Sequence, residues 1–383
     1  MRTGIPDLDD VEGLVALDVD GLLQSVARAG AQVRAVAEAV REGGLRPLAD
    51  LRPRSVVVVF GSSRTAACAA ELAVAVLAAH TDVPLVCGPA LPGWVGPLDV
   101  VVIVGDDAGD MALADAAARA ARRRAEVVIG APMEGPLRDA VGGTGIDLSP
   151  RVHVDRRFGF AGFVAVIVSV VMGLSSVRFS GAGPDLDALA DALDAEAATN
   201  HVARELFRNQ AKLLASRMSG TTMVLCGDTP ASVTVAAHAA RTVLAVAGDA
   251  CGAADVADAV ALVRDHGSGD APVDSLFHDP FIDGPAPRAT TILVLGVPRH
   301  EWRLRRLLGA LGDAVLVVGS TPADAAPAAF PVAGSLVGQE DRPIYPDSPS
   351  DAGGDLPADL EALLLALLRV DMAAVYLRLI RGS

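Results

Sequence analysis

The apolar residues fall into short, nearly continuous β-branched runs separated by longer alanine-rich stretches. Ser55–Phe60, Val83–Cys87, Val100–Val104 and Glu126–Ile129 make one series of such runs, and Thr222–Cys226, Thr291–Leu295 and Ala314–Val318 make a second. Runs that are apolar at every position, bounded by turn residues, predict strands buried on both faces of a parallel sheet. The first runs into Gly61-Ser62-Ser63-Arg64-Thr65 and a helix reaching about His80, and the third into Gly105–Asp110 and a helix to Arg124. In the second series, Val233–Val246 and Glu301–Leu311 take the helical places. Setting VVVVFGSSRTAACAAEL beside TMVLCGDTPASVTVAAHAA shows the unit repeating. Strand and helix alternating twice over predict an α/β fold with two doubly wound parallel sheets.

Other segments frame these halves. Leu14, Leu17, Leu22, Val26, Val33, Val36 and Val40 recur at near-helical spacing in a lead-in. Phe158–Val177 is apolar throughout and long enough to span a membrane. Arginines flank it, no second such segment follows, and its Gly, Ala and Ser residues suit close packing; it is read as a buried helix joining the halves, with membrane attachment the weaker alternative. Asp185–Ser219 reads as largely helical, Pro322–Pro357 as a long loop, and Asp359–Ile380 as a helix whose leucines must dock. The expected division is a lead-in (1–50), a first domain (51–155), central and connecting helices (156–218), a second domain (219–335), and a loop with a docking helix (336–383).

Composition narrows the chemistry. The 383 residues are 51% hydrophobic but only 3% aromatic, which predicts cores of Ala, Val and Leu. A formal charge of −15 argues against a general nucleic-acid or anionic-membrane binder. Lys212 is the one lysine, so lysine chemistry is nearly excluded. Cys68, Cys87, Cys226 and Cys251 form no C-x-x-C pair and read as reduced thiols, and the acidic N-terminus has no apolar signal region; a cytoplasmic protein is expected. Gly61–Thr65 is a candidate ligand loop, because strand, Gly/Ser/Thr turn and helix together present backbone N–H groups. An ordinary capped turn has the same pattern. Asp106, Asp107 and Asp110 read as caps of the next helix, or as an acidic pocket for a cation or neutral polyol. Their close spacing without a histidine gives no metal site.

Taken in order, VPLVCGPALPGWVGPLDVVVIV, VDRRFGFAGFV, FHDPF and LLLALLRVDMAAVYLRL resemble stretches of the sugar isomerase (SIS) double-domain proteins. More narrowly, they are similar to the bifunctional phosphoglucose/phosphomannose isomerases of bacteria and archaea. The resemblance implies two SIS-like domains, a homodimer and no cofactor. It also implies interconversion of glucose or mannose 6-phosphate with fructose 6-phosphate through a cis-enediol. By that resemblance Gly61, Ser62, Ser63, Arg64 and Thr65 would hold phosphate, and Arg156 and Arg157 match the position of the sugar-binding arginine, with Arg157 taken as the contact; a charged flank of the apolar helix is the alternative. Gly105, Asp107 and Asp110 stand where the family carries the hydroxyls of its second loop. Like charges about 4 Å apart repel by roughly 4 kcal/mol at an effective dielectric near 20, enough to offset several hydrogen bonds.

The family's glutamate base aligns with Val246, and the nearest acid is Asp249. The family's lysine near the C-terminus is missing; Arg378 and Arg381 are the closest cations, and arginine does not exchange protons in that role. The ring-opening histidine falls among His238, His266 and His278, with His278 beside Asp279 the candidate pair. Two readings stay open: an isomerase using Asp249 and His278, or a non-catalytic sensor of a carbohydrate derivative or scaffold for a partner enzyme.

Overall fold

In a computed structural model of the chain, the structure describes residues 7–266, 290–309, 314–319 and 354–381. Three helices lead in: α1 (Val11–Leu17), α2 (Leu22–Val26) and α3 (Ala29–Arg41). The first half then runs β1 (Ser55–Val59), α4 (Arg64–Leu77), β2 (Leu85–Gly88), β3 (Asp99–Val104), α5 (Met111–Arg122), β4 (Glu126–Gly130), α6 (Gly135–Val141), β5 (Ile146–Asp147) and α7 (Phe160–Gly173). Connecting helices α8 (Leu186–Thr199) and α9 (Gln210–Met218) follow. The second half runs β6 (Thr222–Gly227), α10 (Pro230–Ala247), β7 (Cys251–Asp255), α11 (Val256–His266), β8 (Thr290–Gly296), α12 (Glu301–Leu308), β9 (Val315–Val318) and α13 (Asp359–Arg381).

Both sheets are parallel, with orders β2-β1-β3-β4-β5 and β7-β6-β8-β9. The shared order 2-1-3-4 is the structural form of the sequence repeat. Alternate strand residues serve different layers. Val56, Val58, Val100, Val102 and Val104 face α3, α4 and α7, whereas Val57, Val59, Val101 and Ile103 face α5 and α6. In the second half Leu225, Leu293 and Leu295 face inward, and Cys226, Ile292 and Val294 face α11 and α12. Two-sided burial is why these strands lack polar alternation.

The inner layers of the two halves form one continuous core. Helices α4 and α10, equivalent in the repeat, pack on each other; α8 packs on α3 and on α13. The central apolar helix α7 packs on α3 and α4, and meets the second half at its start, where Phe160 stacks on His238 at 4.5 Å. α13 is buried over nearly its whole length against α8, α9 and α10. α10 meets the length and composition of a membrane span, but more than half of it is buried inside the protein. The sequence reading missed the short strands β5 and β7. Cys251–Asp255 has two alanines and a glycine in place of β-branched residues, so it carries no strand pattern.

Candidate functional site

In open parallel sheets, ligands collect at the carboxyl ends of the strands, near the point where strand order reverses. In the first sheet that point lies between β1 and β3. β1 ends in Phe60 and Gly61, whose φ of +54° suits glycine. A Cβ there would also meet Asp110 Oδ2 at 2.5 Å and Leu113 Cγ at 2.8 Å. Ser63 caps α4 by accepting from Ala66 N–H. Asp110 caps α5 by accepting from Ala112 N–H at 2.8 Å, and reaches across to accept from both the N–H and the hydroxyl of Ser62, at 2.8 and 2.7 Å. Burial opposes ionisation of Asp110. The hydrogen bonds from Ser62, Ala112 and Leu113 outweigh it and hold the carboxyl below its ordinary range. Asp107 caps its own turn through Gly109 N–H.

The structure thus joins Gly61, Ser62, Gly105 and Asp110 in one mouth, with Ser63, Arg64, Thr65 and Asp107 on the same loops. The donors of Ser62 are already satisfied by the chain's own carboxylate. A phosphate at that loop would have to displace Asp110.

Beside this mouth opens a cavity of about 670 Å³, lined by Gly105 and Asp106 after β3, Gly130 at the end of β4 and Glu134 beyond it, segment 148–156, and faces of α3 and α7. Segment 148–156 is a strap laid along α3. Arg151 pairs with Glu42 at 2.6 Å past the end of α3, Arg28 donates to the His153 carbonyl at 2.9 Å at its start, and Asp155 N–H donates to Ser25 Oγ at 2.6 Å. The strap brings Arg151, His153 and Arg156 to the cavity, and the loops after β3 and β4 bring Asp106 and Glu134. Among the described residues, the side chains of Asp106, Glu134 and His153 make no hydrogen bond or ion pair. The wall can therefore offer cations to an anionic group and carboxylates to hydroxyls.

Other expected site residues lie elsewhere. Arg157 turns from the cavity, pairs with Asp155 at 2.8 Å and donates to the Ala245 carbonyl at 3.1 Å, tying the first half to α10. Asp249 lies between α10 and β7, at the amino edge of the second sheet, opposite the carboxyl ends where ligands collect in such sheets. There it is buried and paired with Arg381 at the end of α13. His238 is buried in the core, and burial, with Arg241 adding to it, lowers its pKa to about 3. His278 lies outside the described residues. Among the described residues no cluster of three or more metal-ligating side chains occurs.

The second mouth, between β6 and β8, is knitted by charge. Asp228 takes His300 Nδ1 at 2.7 Å and Arg303 at 2.5 Å, Arg299 clamps Asp359 at the start of α13, and Asp355 accepts from Ala231 N–H. Sequence reasoning missed these residues and the whole strap. The recurring glycine at strand ends, Gly227 and Gly296, was the available signal for the second mouth.

This architecture defines a class: two parallel-sheet domains of the sugar isomerase fold in one chain. Solved structures of that class match it along nearly its full length. The C-terminal domain of glucosamine-fructose-6-phosphate aminotransferase from Francisella tularensis has a TM-score of 0.54 at 10% identity, covering 100% of this chain and 98% of that one. A protein proposed to be a phosphosugar isomerase from Clostridium difficile 630 has a TM-score of 0.60 at 11% identity, covering 93% of each chain. A glucose-6-phosphate isomerase like protein from Thermus thermophilus gives 0.50 at 15% identity, covering 99% and 94%. No family model and no curated protein matches the sequence. The chain has the double SIS-domain fold.

Proposed function

We propose that this protein binds a sugar phosphate in the cavity at the mouth of the first sheet. The observation that carries the reading is the cavity itself: about 670 Å³ at the strand ends, cationic along the strap and carboxylate-bearing on the facing loops. That arrangement suits a ligand with an anionic end and a hydroxylated body. The neighbours of the same fold that are named for phosphosugar chemistry support the class. In this reading phosphate lies against Arg156 and Arg151, and Ser62 stays with Asp110. The ligands to try first are glucose, mannose and fructose 6-phosphates, with a homodimer in the cytoplasm as the expected setting.

Calorimetry tests it. Hexose 6-phosphates are expected to bind, and Arg156→Ala to weaken them about tenfold by removing one charge-assisted contact. Absence of heat with every hexose phosphate would overturn the reading and leave a scaffold. A second reading, residual aldose–ketose isomerisation, is favoured by one observation: Asp106, Glu134 and His153 stand on the cavity wall uncommitted, and a proton transfer between C1 and C2 needs such a base. Coupled assays with both aldoses decide it. Turnover abolished in Glu134→Gln with binding intact would support it, and no turnover in the unaltered protein would remove it.

A further inference from the structure

Within that cavity one polar side chain is placed unlike the rest. Gln32, in the first turn of α3, is only 8% exposed and lines the cavity from the protein interior. Buried polar groups are almost always hydrogen-bonded. Its Nε2 donates to the Phe158 carbonyl at 3.0 Å. A carbonyl can only accept, so this bond fixes which end of the amide faces which way. Oε1 is then the end left over, and among the described residues nothing donates to it. Opposite it α7 carries Gly162, another lining residue, where a Cβ would come within 3.0 Å of Oε1. The absent side chain leaves room beside the free acceptor.

We infer that Gln32 is a specificity-determining residue whose Oε1 accepts a hydrogen bond from a hydroxyl of the bound sugar. The inference rests on the sugar-phosphate reading and deepens it. An acceptor has nothing to offer a fully ionised phosphate, which carries only acceptors, so Gln32 faces the other end of the ligand. Asp106 and Glu134 are acceptors too. The inner wall therefore selects for donors and the strap for negative charge, which describes a polyhydroxylated phosphate monoester.

The test compares hexose 6-phosphates with inorganic phosphate by calorimetry on the full chain. Gln32→Leu removes the acceptor, together with the Nε2 bond to Phe158 and one atom of length. It is expected to weaken the best hexose 6-phosphate about tenfold while leaving inorganic phosphate unchanged, since one neutral hydrogen bond to a buried group is at stake. In a series of monodeoxy hexose 6-phosphates, one member should bind the unaltered protein weakly and be indifferent to Gln32→Leu. Gly162→Ala crowds Oε1 without touching the bond to Phe158, and is expected to weaken the same ligand; it answers the question if Gln32→Leu does not fold. Unchanged hexose phosphate affinity in the folded variants would overturn the role of Gln32 and spare the site. No binding to the unaltered protein would overturn the site itself and the role with it.

Discussion

Asp110 shows what a single carboxylate decides at this mouth. Its aspartate is legible in sequence as a helix cap, but its second task is not, because Ser62 lies in a different loop and only the parallel pairing of β1 with β3 brings the two together. Asp110→Ala removes a cap and hands the exposed Ser62 donors to water, and is expected to cost about 1–2 kcal/mol by chemical denaturation. The carboxyl is held below its ordinary pKa, so its contribution is full above the unfolded value and fades as pH falls through the folded one. The stability gap between the unaltered protein and Asp110→Ala should therefore narrow in acid; a gap constant from pH 7 to pH 3 would count against an ionised bridge. Asp371 has the opposite sign. It is buried in α13 with Thr242 its one hydrogen-bonding partner among the described residues and Oδ1 unsatisfied, and burial raises its pKa well above the ordinary value. Its folded state holds the proton, so its contribution is complete at low pH and is lost as pH rises. Asp371→Asn should gain on the unaltered protein as pH climbs above about 4, by at most about 1.4 kcal/mol per pH unit. Parallel stability curves for the two proteins would refute it.

Among elements, strands and helices were readable because two-sided burial writes itself into sequence as unbroken Val and Ile. The strap was not readable. SPRVHVD alternates polar and apolar residues but forms no strand, and its position depends on Arg28, Ser25 and Glu42, more than a hundred residues earlier. Sequence could not choose between Arg156 and Arg157 for the same reason: the strap presents Arg156 to the cavity and spends Arg157 on Asp155 and α10. A wall pinned at three points is preorganised, and preorganisation lowers the cost of binding. Combining Arg28→Ala with Ser25→Ala should loosen the wall while leaving the sheet intact. Hydrogen exchange in residues 149–156 is expected to quicken, and hexose phosphate affinity to fall about tenfold, with strand amides unchanged. Exchange unaltered along the strap would show that these two bonds do not hold it.

At the scale of the molecule, the repeat predicted two similar halves but not how completely they share an interior. The inner faces of both sheets and nine helices (α1, α2, α3, α4, α7, α8, α9, α10 and α13) belong to one apolar cluster, while each outer layer keeps its own. Halves that shared only a linker would melt separately; halves that share a core lose much of their burial if either opens. The chain carries its own reporters, because its two tryptophans fall one to each half, Trp94 before β3 and Trp302 in α12, both with at least half their surface exposed and so cheap to replace. Trp302→Phe leaves a probe of the first half and Trp94→Phe a probe of the second. Their denaturation midpoints are expected to coincide. The junction supplies a stricter version. Gly30 of α3 lies so close to α8 that a Cβ would come within 2.5 Å of the Ala190 carbonyl, so Gly30→Val must push the helices apart, at a typical overpacking cost of about 1–3 kcal/mol. Although α3 is a lead-in helix packed on α7 of the first half, this substitution should lower both tryptophan midpoints equally. A fall in the Trp94 transition alone would mean that the halves unfold independently and that the continuous core does not couple them.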